Sequence, residues 1–145
     1  MAAELDGPRL EPRAGKARHL VVFLHGYGAD GNDLIEIGRA WQPLLPEAAF
    51  VSPHAPHPCG QAPMGREWFP LTFRDLNERW TGVNAAAPAL ARFLDAELQR
   101  RGLGPAALAL VGRIALWWNS ADPGAWRAVE IGLWAVFVVF ASAYL

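Results

Sequence analysis

Residues 20–33 read Leu-Val-Val-Phe-Leu-His-Gly-Tyr-Gly-Ala-Asp-Gly-Asn-Asp, and this stretch decides the fold. Residues 20–24 are all apolar, as in a short buried strand. Gly26 and Gly28 then allow a turn that is too tight for bulkier residues. Asp30, Asn32 and Asp33 are candidate helix N-caps, because apolar residues resume after them at helical spacing. The stretch therefore predicts a strand, a glycine turn and a helix, with backbone N–H groups placed to bind a phosphate or an oxyanion.

Two further apolar runs, at residues 48–51 and 106–111, alternate with helical patterns. This alternation predicts an α/β fold with parallel strands. The second helix is predicted from an apolar face, with Glu97 among the charged residues opposite it. Pro88 is expected in the first turn of that helix or at a kink, and Gly102 is expected to end it. The residues of the apolar face are Val83, Ala87, Leu90, Leu94 and Leu98.

Three other segments predict irregular structure. Residues 1–18 are polar and are expected to form a flexible leader, without the apolar segment of a signal peptide. The prolines and glycines of residues 54–70 predict an irregular loop, which in a compact domain is commonly functional. Residues 71–83 predict a polar connector, either a solvated loop or a short helix face. These features suggest a cytoplasmic protein whose ordered part begins near residue 19.

Composition excludes several classes of function. The chain has 145 residues and a net charge of −1, so it has no electrostatic reason to bind nucleic acid. Its single cysteine, Cys59, cannot form an intrachain disulfide, and cysteine spacings typical of metal sites are absent. No metal site is therefore predicted.

The residues Phe23-Leu24-His25-Gly26-Tyr27-Gly28, followed by Asp33, resemble the oxyanion loop of the phospholipase/carboxylesterase family of α/β-hydrolases, which includes the acyl-protein thioesterases. Further motifs follow in the family's order: Ser-Pro-His-Ala-Pro at residues 52–56, Trp68-Phe69, and Leu-Ala-Leu-Val-Gly at residues 108–112. The resemblance covers about residues 18–112. It implies that residues 19–112 form an incomplete α/β-hydrolase three-layer sandwich with parallel strands.

The resemblance also implies an activity and residue roles. The parent reaction is hydrolysis of a small carboxylic ester or thioester through an acyl-enzyme, without a cofactor. The backbone N–H of Tyr27 would serve in the oxyanion hole, and His25, Gly26 and Gly28 would position the loop. Trp68 and Phe69 would border the acyl-binding side, although filling the core is an equally good interpretation.

The nucleophile that the family requires is missing from the expected place. The elbow motif G-x-S-x-G would begin at Gly112, where the chain reads Gly-Arg-Ile-Ala-Leu, so Ile114 occupies the serine position. Ser120 has no close glycines on both sides and is better explained as a turn cap. All four histidines precede Gly112, and His54 or His57 would have to be recruited as a substitute base. The sequence therefore predicts a truncated or interrupted serine hydrolase without an intact catalytic residue.

Residues 113–145 form a divergent tail. Four of the seven tryptophans lie here, and residues 131–145 carry no charge. They predict an apolar C-terminal helix, either a marginal membrane segment that contacts a bilayer or a core helix. A non-catalytic membrane-associated binding or scaffold protein is therefore the alternative to a hydrolase. The abrupt change at Gly112 suggests a frameshift, a rearrangement or a gene fusion.

Overall fold

The computed structural model describes residues 4–72, 74–75, 77–112 and 139–140. Their elements, in chain order, are β1 (Arg9–Leu10), β2 (His19–Leu24), α1 (Gly31–Trp41), β3 (Ala48–Val51), β4 (His57–Cys59), β5 (Ala62–Glu67), α2 (Asn77–Arg101), a 3-10 turn (Pro105–Ala107), β6 (Leu108–Gly112) and β7 (Val139–Phe140). Five strands form one sheet in the order β1-β3-β2-β6-β7, and β4 and β5 form a separate hairpin.

The centre of the sheet is parallel. β2 pairs with β3 on one side and with β6 on the other. Leu20 lies opposite Leu108 and Leu24 lies opposite Gly112, so β2 and β6 end at the same edge. The first and third apolar runs are therefore neighbouring strands, and the prediction that they are parallel is confirmed. β6 begins at Leu108 because the preceding residues form the 3-10 turn, which Pro105 starts.

The sheet is mixed, because two edge strands that the sequence did not predict are antiparallel to the three predicted parallel strands. β1 pairs antiparallel with β3, and β7 pairs antiparallel with β6. Each of these outer strands has two residues. A short antiparallel strand covers the edge of a parallel core without needing a crossover helix.

Side-chain alternation along the strands places one helix on each face of the sheet. Val21 and Phe23 face the α1 side, where they pack with Ile35. Leu20 and Val22 face the other side, where they pack with Phe93 and other residues of α2. The period of two in the strands thus builds two hydrophobic layers from one continuous apolar run.

Helix α1 begins as the sequence predicts. The Asp30 side chain accepts a hydrogen bond from the Asn32 N–H at 2.7 Å, and the Asp33 side chain accepts one from the Asp30 N–H at 2.7 Å. This reciprocal arrangement is a capping box, which satisfies N–H groups that have no partner inside the helix. The helix packs closely on the sheet at Gly38, where an added Cβ would lie 3.0 Å from the Phe50 side chain.

Helix α2 departs from the prediction in two respects. It begins at Asn77, before the apolar face predicted from Val83, so the polar connector is partly helical; Pro88 lies in the helix interior, which excludes the first turn as its position. Its buried residues are Gly82, Phe93, Glu97 and Leu98, so Glu97 faces the core and not solvent. The helix ends at Arg101, followed by Gly102 at a φ of 66°, as the sequence predicts.

The predicted flexible leader contacts the rest of the fold over its described residues. Leu5 is buried in the core beside α2, and β1 forms the edge of the sheet. The His54 N–H donates to the Asp6 carbonyl at 2.8 Å, and the Arg9 guanidinium bonds to Glu97. These partners lie far away in sequence, which is why composition alone did not reveal the order of this segment.

The Pro- and Gly-rich segment at residues 54–70 also contains regular structure, contrary to the prediction. β4 and β5 pair antiparallel, with His57 opposite Glu67 and an irregularity after Pro58. Proline is tolerated at a bulge or at an edge because no ladder bond from its nitrogen is needed there. A two-stranded hairpin has only edge strands, so its prolines do not prevent pairing.

The predicted apolar helix at residues 131–145 lies mostly outside the described residues. The two residues that are described form β7, so the prediction is wrong at these two positions. Neither α-helix in the described part of the chain combines the length and apolar character that crossing a bilayer requires. The predicted membrane contact therefore has no support there.

Candidate functional site

The loop that follows β2 is shaped by a tight turn. The Ala29 N–H donates to the Gly26 carbonyl at 3.2 Å, and Gly28 has a φ of 77°. A positive φ at the third position of a four-residue turn favours glycine strongly. The turn places Tyr27 just beyond the carboxyl end of β2. We call residues 25–29 the oxyanion loop.

The hairpin extends the hydrogen bonding of this loop. The Gly28 N–H donates to the Arg66 carbonyl at 3.0 Å, and the Arg66 N–H donates to the Ala29 carbonyl at 2.9 Å. Gly65 makes this approach possible, because a Cβ at that position would lie 2.0 Å from the Gly28 carbonyl oxygen. A backbone oxygen cannot move away as a flexible side chain could. The hairpin is therefore a support for the oxyanion loop.

His25 ties the loop to the segment after β3. The ring is 3% exposed. Its Nε2 accepts the Ala55 N–H at 2.9 Å, and its Nδ1 lies 2.9 Å from the Gly26 carbonyl oxygen. Because a backbone N–H only donates, Nε2 carries no proton and Nδ1–H donates to Gly26. Burial lowers the pKa of His25, so the ring is neutral at pH 7.

Two further side chains hold the same region. The Trp68 Nε1–H donates to the His25 carbonyl at 3.0 Å, and the two rings lie with their centroids 5.6 Å apart. The Arg66 guanidinium donates to the Ala55 carbonyl at 2.6 Å and to the Pro56 carbonyl at 3.1 Å. Ala55 is therefore held at both its N–H and its carbonyl. We call His25, Ala55, Arg66 and Trp68 the loop cluster.

The Tyr27 side chain contacts the hairpin. Hydrogen bonding with the Cys59 side chain, burial and the neighbouring Glu67 carboxylate raise the pKa of the Tyr27 hydroxyl above its ordinary value. Both Cys59 and Glu67 are buried. Tyr27 is thus held through its side chain, while its backbone lies at the edge where β2 and β6 end.

The structure brings most of the predicted site residues together. His25, Gly26, Tyr27 and Gly28 form the oxyanion loop, and Trp68 contacts it. Phe69 lies against α2 instead, where an added Cβ on Gly82 would be 2.1 Å from its ring. Ile114 and Ser120 lie outside the described residues. In the described part of the chain, no three His, Cys, Asp or Glu side chains are placed to hold a metal ion.

The two histidines considered as substitute bases have different surroundings. His54 Nδ1 accepts the Gly31 N–H at 3.1 Å, at the first residue of α1. His57 is exposed on β4. Sequence reasoning missed the supporting roles of Arg66, Cys59 and Glu67. Nothing in a segment expected to be irregular indicated that these three residues would pair with the oxyanion loop.

Comparison with known proteins shows where the chain has relatives. The sequence model of the family described as Phospholipase/Carboxylesterase matches residues 5–113. Esterase YpfH of Escherichia coli (strain K12) is 32% identical over 96 residues, which are 66% of this chain and 41% of that protein.

Solved structures agree with this match. The crystal structure of esterase PE8 superposes with a TM-score of 0.73 at 46% identity, covering 76% of this chain and 52% of that one. A phospholipase/carboxylesterase from Dyadobacter fermentans DSM 18053 superposes with a TM-score of 0.50 at 19% identity, covering 76% of this chain and 49% of that one, which shows the fold alone. The chain thus spans about half or less of the length of these relatives.

Proposed function

The chain belongs to the phospholipase/carboxylesterase family, and we propose that it carries the amino-terminal half of that family's site for hydrolysing small acyl esters or thioesters. The observation that carries the proposal is the oxyanion loop at the shared carboxyl edge of β2 and β6, where Leu24 lies opposite Gly112. The two esterases among its relatives support the substrate class.

The proposed contribution of this half-site is electrostatic. In the family's reaction, a serine attacks the acyl carbonyl, whose oxygen becomes negatively charged in the transition state. The Tyr27 N–H is proposed to donate to that oxygen, as one of two donors. Such a donor is effective when it is held in place before the reaction, because no energy is then spent on turning it. The loop cluster and the hairpin supply that restraint.

We also propose that these 145 residues alone do not hydrolyse esters. Ile114 stands at the expected nucleophile position, and an aliphatic side chain cannot attack a carbonyl. No histidine follows Gly112 in this sequence. His25 Nε2 and His54 Nδ1 each already accept a backbone N–H, so neither nitrogen is free to take a proton from a nucleophile.

Turnover of a short-chain p-nitrophenyl ester tests this proposal. We expect the purified chain to show the background rate, and a fluorophosphonate probe to leave it unlabelled, because both require an activated serine. Ile114→Ser should also stay at background, since no base accompanies the new hydroxyl. An active serine esterase under the same conditions is the positive control. Turnover by the unmodified chain that a serine-directed inhibitor abolishes would show the proposal to be wrong.

A further inference from the structure

Two histidine rings use a nitrogen lone pair to hold backbone segments together. His25 Nε2 accepts the Ala55 N–H at 2.9 Å, and His54 Nδ1 accepts the Gly31 N–H at 3.1 Å. His54 and Ala55 are adjacent in the segment that follows β3. The two bonds therefore fasten this segment to the oxyanion loop at one point and to the first residue of α1 at the other.

Both bonds require a ring nitrogen without a proton. The geometry assigns opposite tautomers, with the proton of His25 on Nδ1 and that of His54 on Nε2. Protonation would replace each lone pair with an N–H that points at another N–H, so the bond would be lost. A charged His54 would also face the positive end of the α1 dipole. Protonation of either ring would therefore break the bond that it accepts.

The charged groups around the rings do not cancel this response. For His25, burial is the largest influence and lowers the pKa, and the charge of His54 acts in the same direction. Asp30 and Asp33 act in the opposite direction. Arg66 lies behind Ala55 and adds positive charge on that side. Near His54 lies Asp6, whose carboxylate is already paired with Arg9 at 2.6 Å.

We propose that His25 and His54 form an acid-sensitive latch, which holds residues 52–55 against the oxyanion loop and α1 at neutral pH and releases them when the rings are protonated. The latch is independent of ester hydrolysis, because it requires only the described residues and their bonds. Its consequence is that acid loosens the loop that carries Tyr27, while the strands beneath it stay paired.

The direction of the pH dependence follows from linkage. The opened loop exposes His25 with an ordinary pKa of about 6.5, whereas the pKa in the closed loop is lower. The latch is therefore fully stable above about pH 6.5 and weakens as the pH falls toward the pKa of the closed state. In that window the opened fraction rises up to about tenfold per pH unit, because His25 must lose a proton on closing.

Amide hydrogen exchange of the full chain between pH 8 and pH 5 tests the latch. After correction for intrinsic rates, we expect the opened fraction of peptides covering residues 25–31 and 52–56 to rise up to about tenfold per pH unit below about pH 6.5. His25→Gln places an amide oxygen near the position of Nε2, and His54→Asn places one near that of Nδ1. Each variant should flatten the dependence, since an amide gains no proton. His19→Gln, at the exposed start of β2, is the matched control and should keep the original profile.

A second measurement reads the tautomers directly. Long-range ¹H–¹⁵N spectra of the unmodified chain at pH 8 should show a proton on Nδ1 of His25 and on Nε2 of His54. This test does not require either variant to fold. The same tautomer at both rings, or corrected exchange that does not change between pH 8 and pH 5, would overturn the latch. Unchanged pH dependence in folded His25→Gln would overturn it as well.

Discussion

Two polar clusters in the described part of the chain stabilise the fold through different kinds of interaction. The loop cluster, described above, uses a neutral imidazole, backbone groups and an indole N–H, with one guanidinium. The Glu97 cluster, made of Arg9, Glu97 and Arg101, uses full charges. The first fastens the hairpin to the oxyanion loop, and the second fastens the leader to α2. Each cluster orders a segment that the sequence predicted to be irregular.

The geometry of the Glu97 cluster explains how a carboxylate can be 1% exposed. Glu97 Oε1 accepts from Arg9 Nε at 3.1 Å and from Arg9 Nη2 at 2.8 Å. Its Oε2 accepts from Arg101 Nη1 at 2.5 Å, and Arg101 Nη2 donates to Glu11 at 2.8 Å. Burial acts to raise the pKa of Glu97, but the bonds from the two arginines outweigh it and hold the pKa below its ordinary value.

The two clusters should lose different amounts of stability when one member is removed. A buried charge left without its partner is costly, because the interior solvates it poorly. A change at His25 or Trp68 in the loop cluster removes only hydrogen bonds between neutral groups, each with a modest net value. The two clusters also differ in the pH range over which acid weakens them. The stability that Glu97 contributes is present above about pH 4.3 and is lost as the pH falls through its lowered folded pKa, whereas the histidine latch weakens from about pH 6.5.

The largest expected effect is on the Glu97 cluster. Glu97→Ala should lower the free energy of unfolding by about 3–5 kcal/mol, because it removes the buried carboxylate that Arg9 and Arg101 share and leaves them only the exposed carboxylates of Asp6 and Glu11. Urea unfolding at pH 7 measures the change. Glu36→Ala is the control, since Glu36 pairs with Arg39 on the exposed face of α1, and such pairs contribute about 0–1 kcal/mol. Equal losses in the two variants would remove the distinction between the clusters.

A smaller effect is expected where the hairpin meets the oxyanion loop. Gly65→Ala would place a Cβ within 2.0 Å of the Gly28 carbonyl oxygen, so we expect a loss of about 1–3 kcal/mol from forced backbone movement. Gly60→Ala lies in the same hairpin, where nothing stands within 4 Å of an added Cβ. It should change the stability by less than about 0.5 kcal/mol. Thermal unfolding measures the stability of both variants. If Gly65→Ala lost no stability, the close approach of Gly65 to the Gly28 carbonyl would be refuted.

The smallest effect should come from one bond of the loop cluster. Trp68→Phe keeps an aromatic ring beside His25 but removes the Nε1–H that donates to its carbonyl. The expected loss is about 1 kcal/mol, the usual net value of one hydrogen bond. Trp80→Phe is the control, because Trp80 is 74% exposed. Chemical denaturation monitored by far-UV circular dichroism measures both. If Trp68→Phe matched Trp80→Phe, the indole bond would have no role in stability.

The sequence by itself determined the parallel core and the start of the site. The apolar run at residues 20–24, the glycines after it and the N-cap candidates Asp30, Asn32 and Asp33 are local signals, because each depends on neighbours within a few residues. The parallel direction of β2 and β6 follows from the rule that apolar runs joined through helices favour parallel strands, whereas their adjacency was implied by the family resemblance. The family assignment from the oxyanion loop is likewise confirmed by the match over residues 5–113.

Only the tertiary structure decided the order of the leader, the hairpin and Glu97. Arg9 and Glu97 are 88 positions apart in the sequence, so neither residue indicates that the other will neutralise its charge. Position 65 requires glycine because a Cβ there would clash with the Gly28 carbonyl. Position 82 requires glycine because a Cβ there would clash with the Phe69 ring. Polar and glycine-rich segments are ambiguous in sequence because their free energy depends on which partners the fold brings to them. The sequence writes a buried glutamate and an exposed one with the same letter. Glu97 can be buried because the folded chain brings the guanidinium groups of Arg9 and Arg101 to its carboxylate.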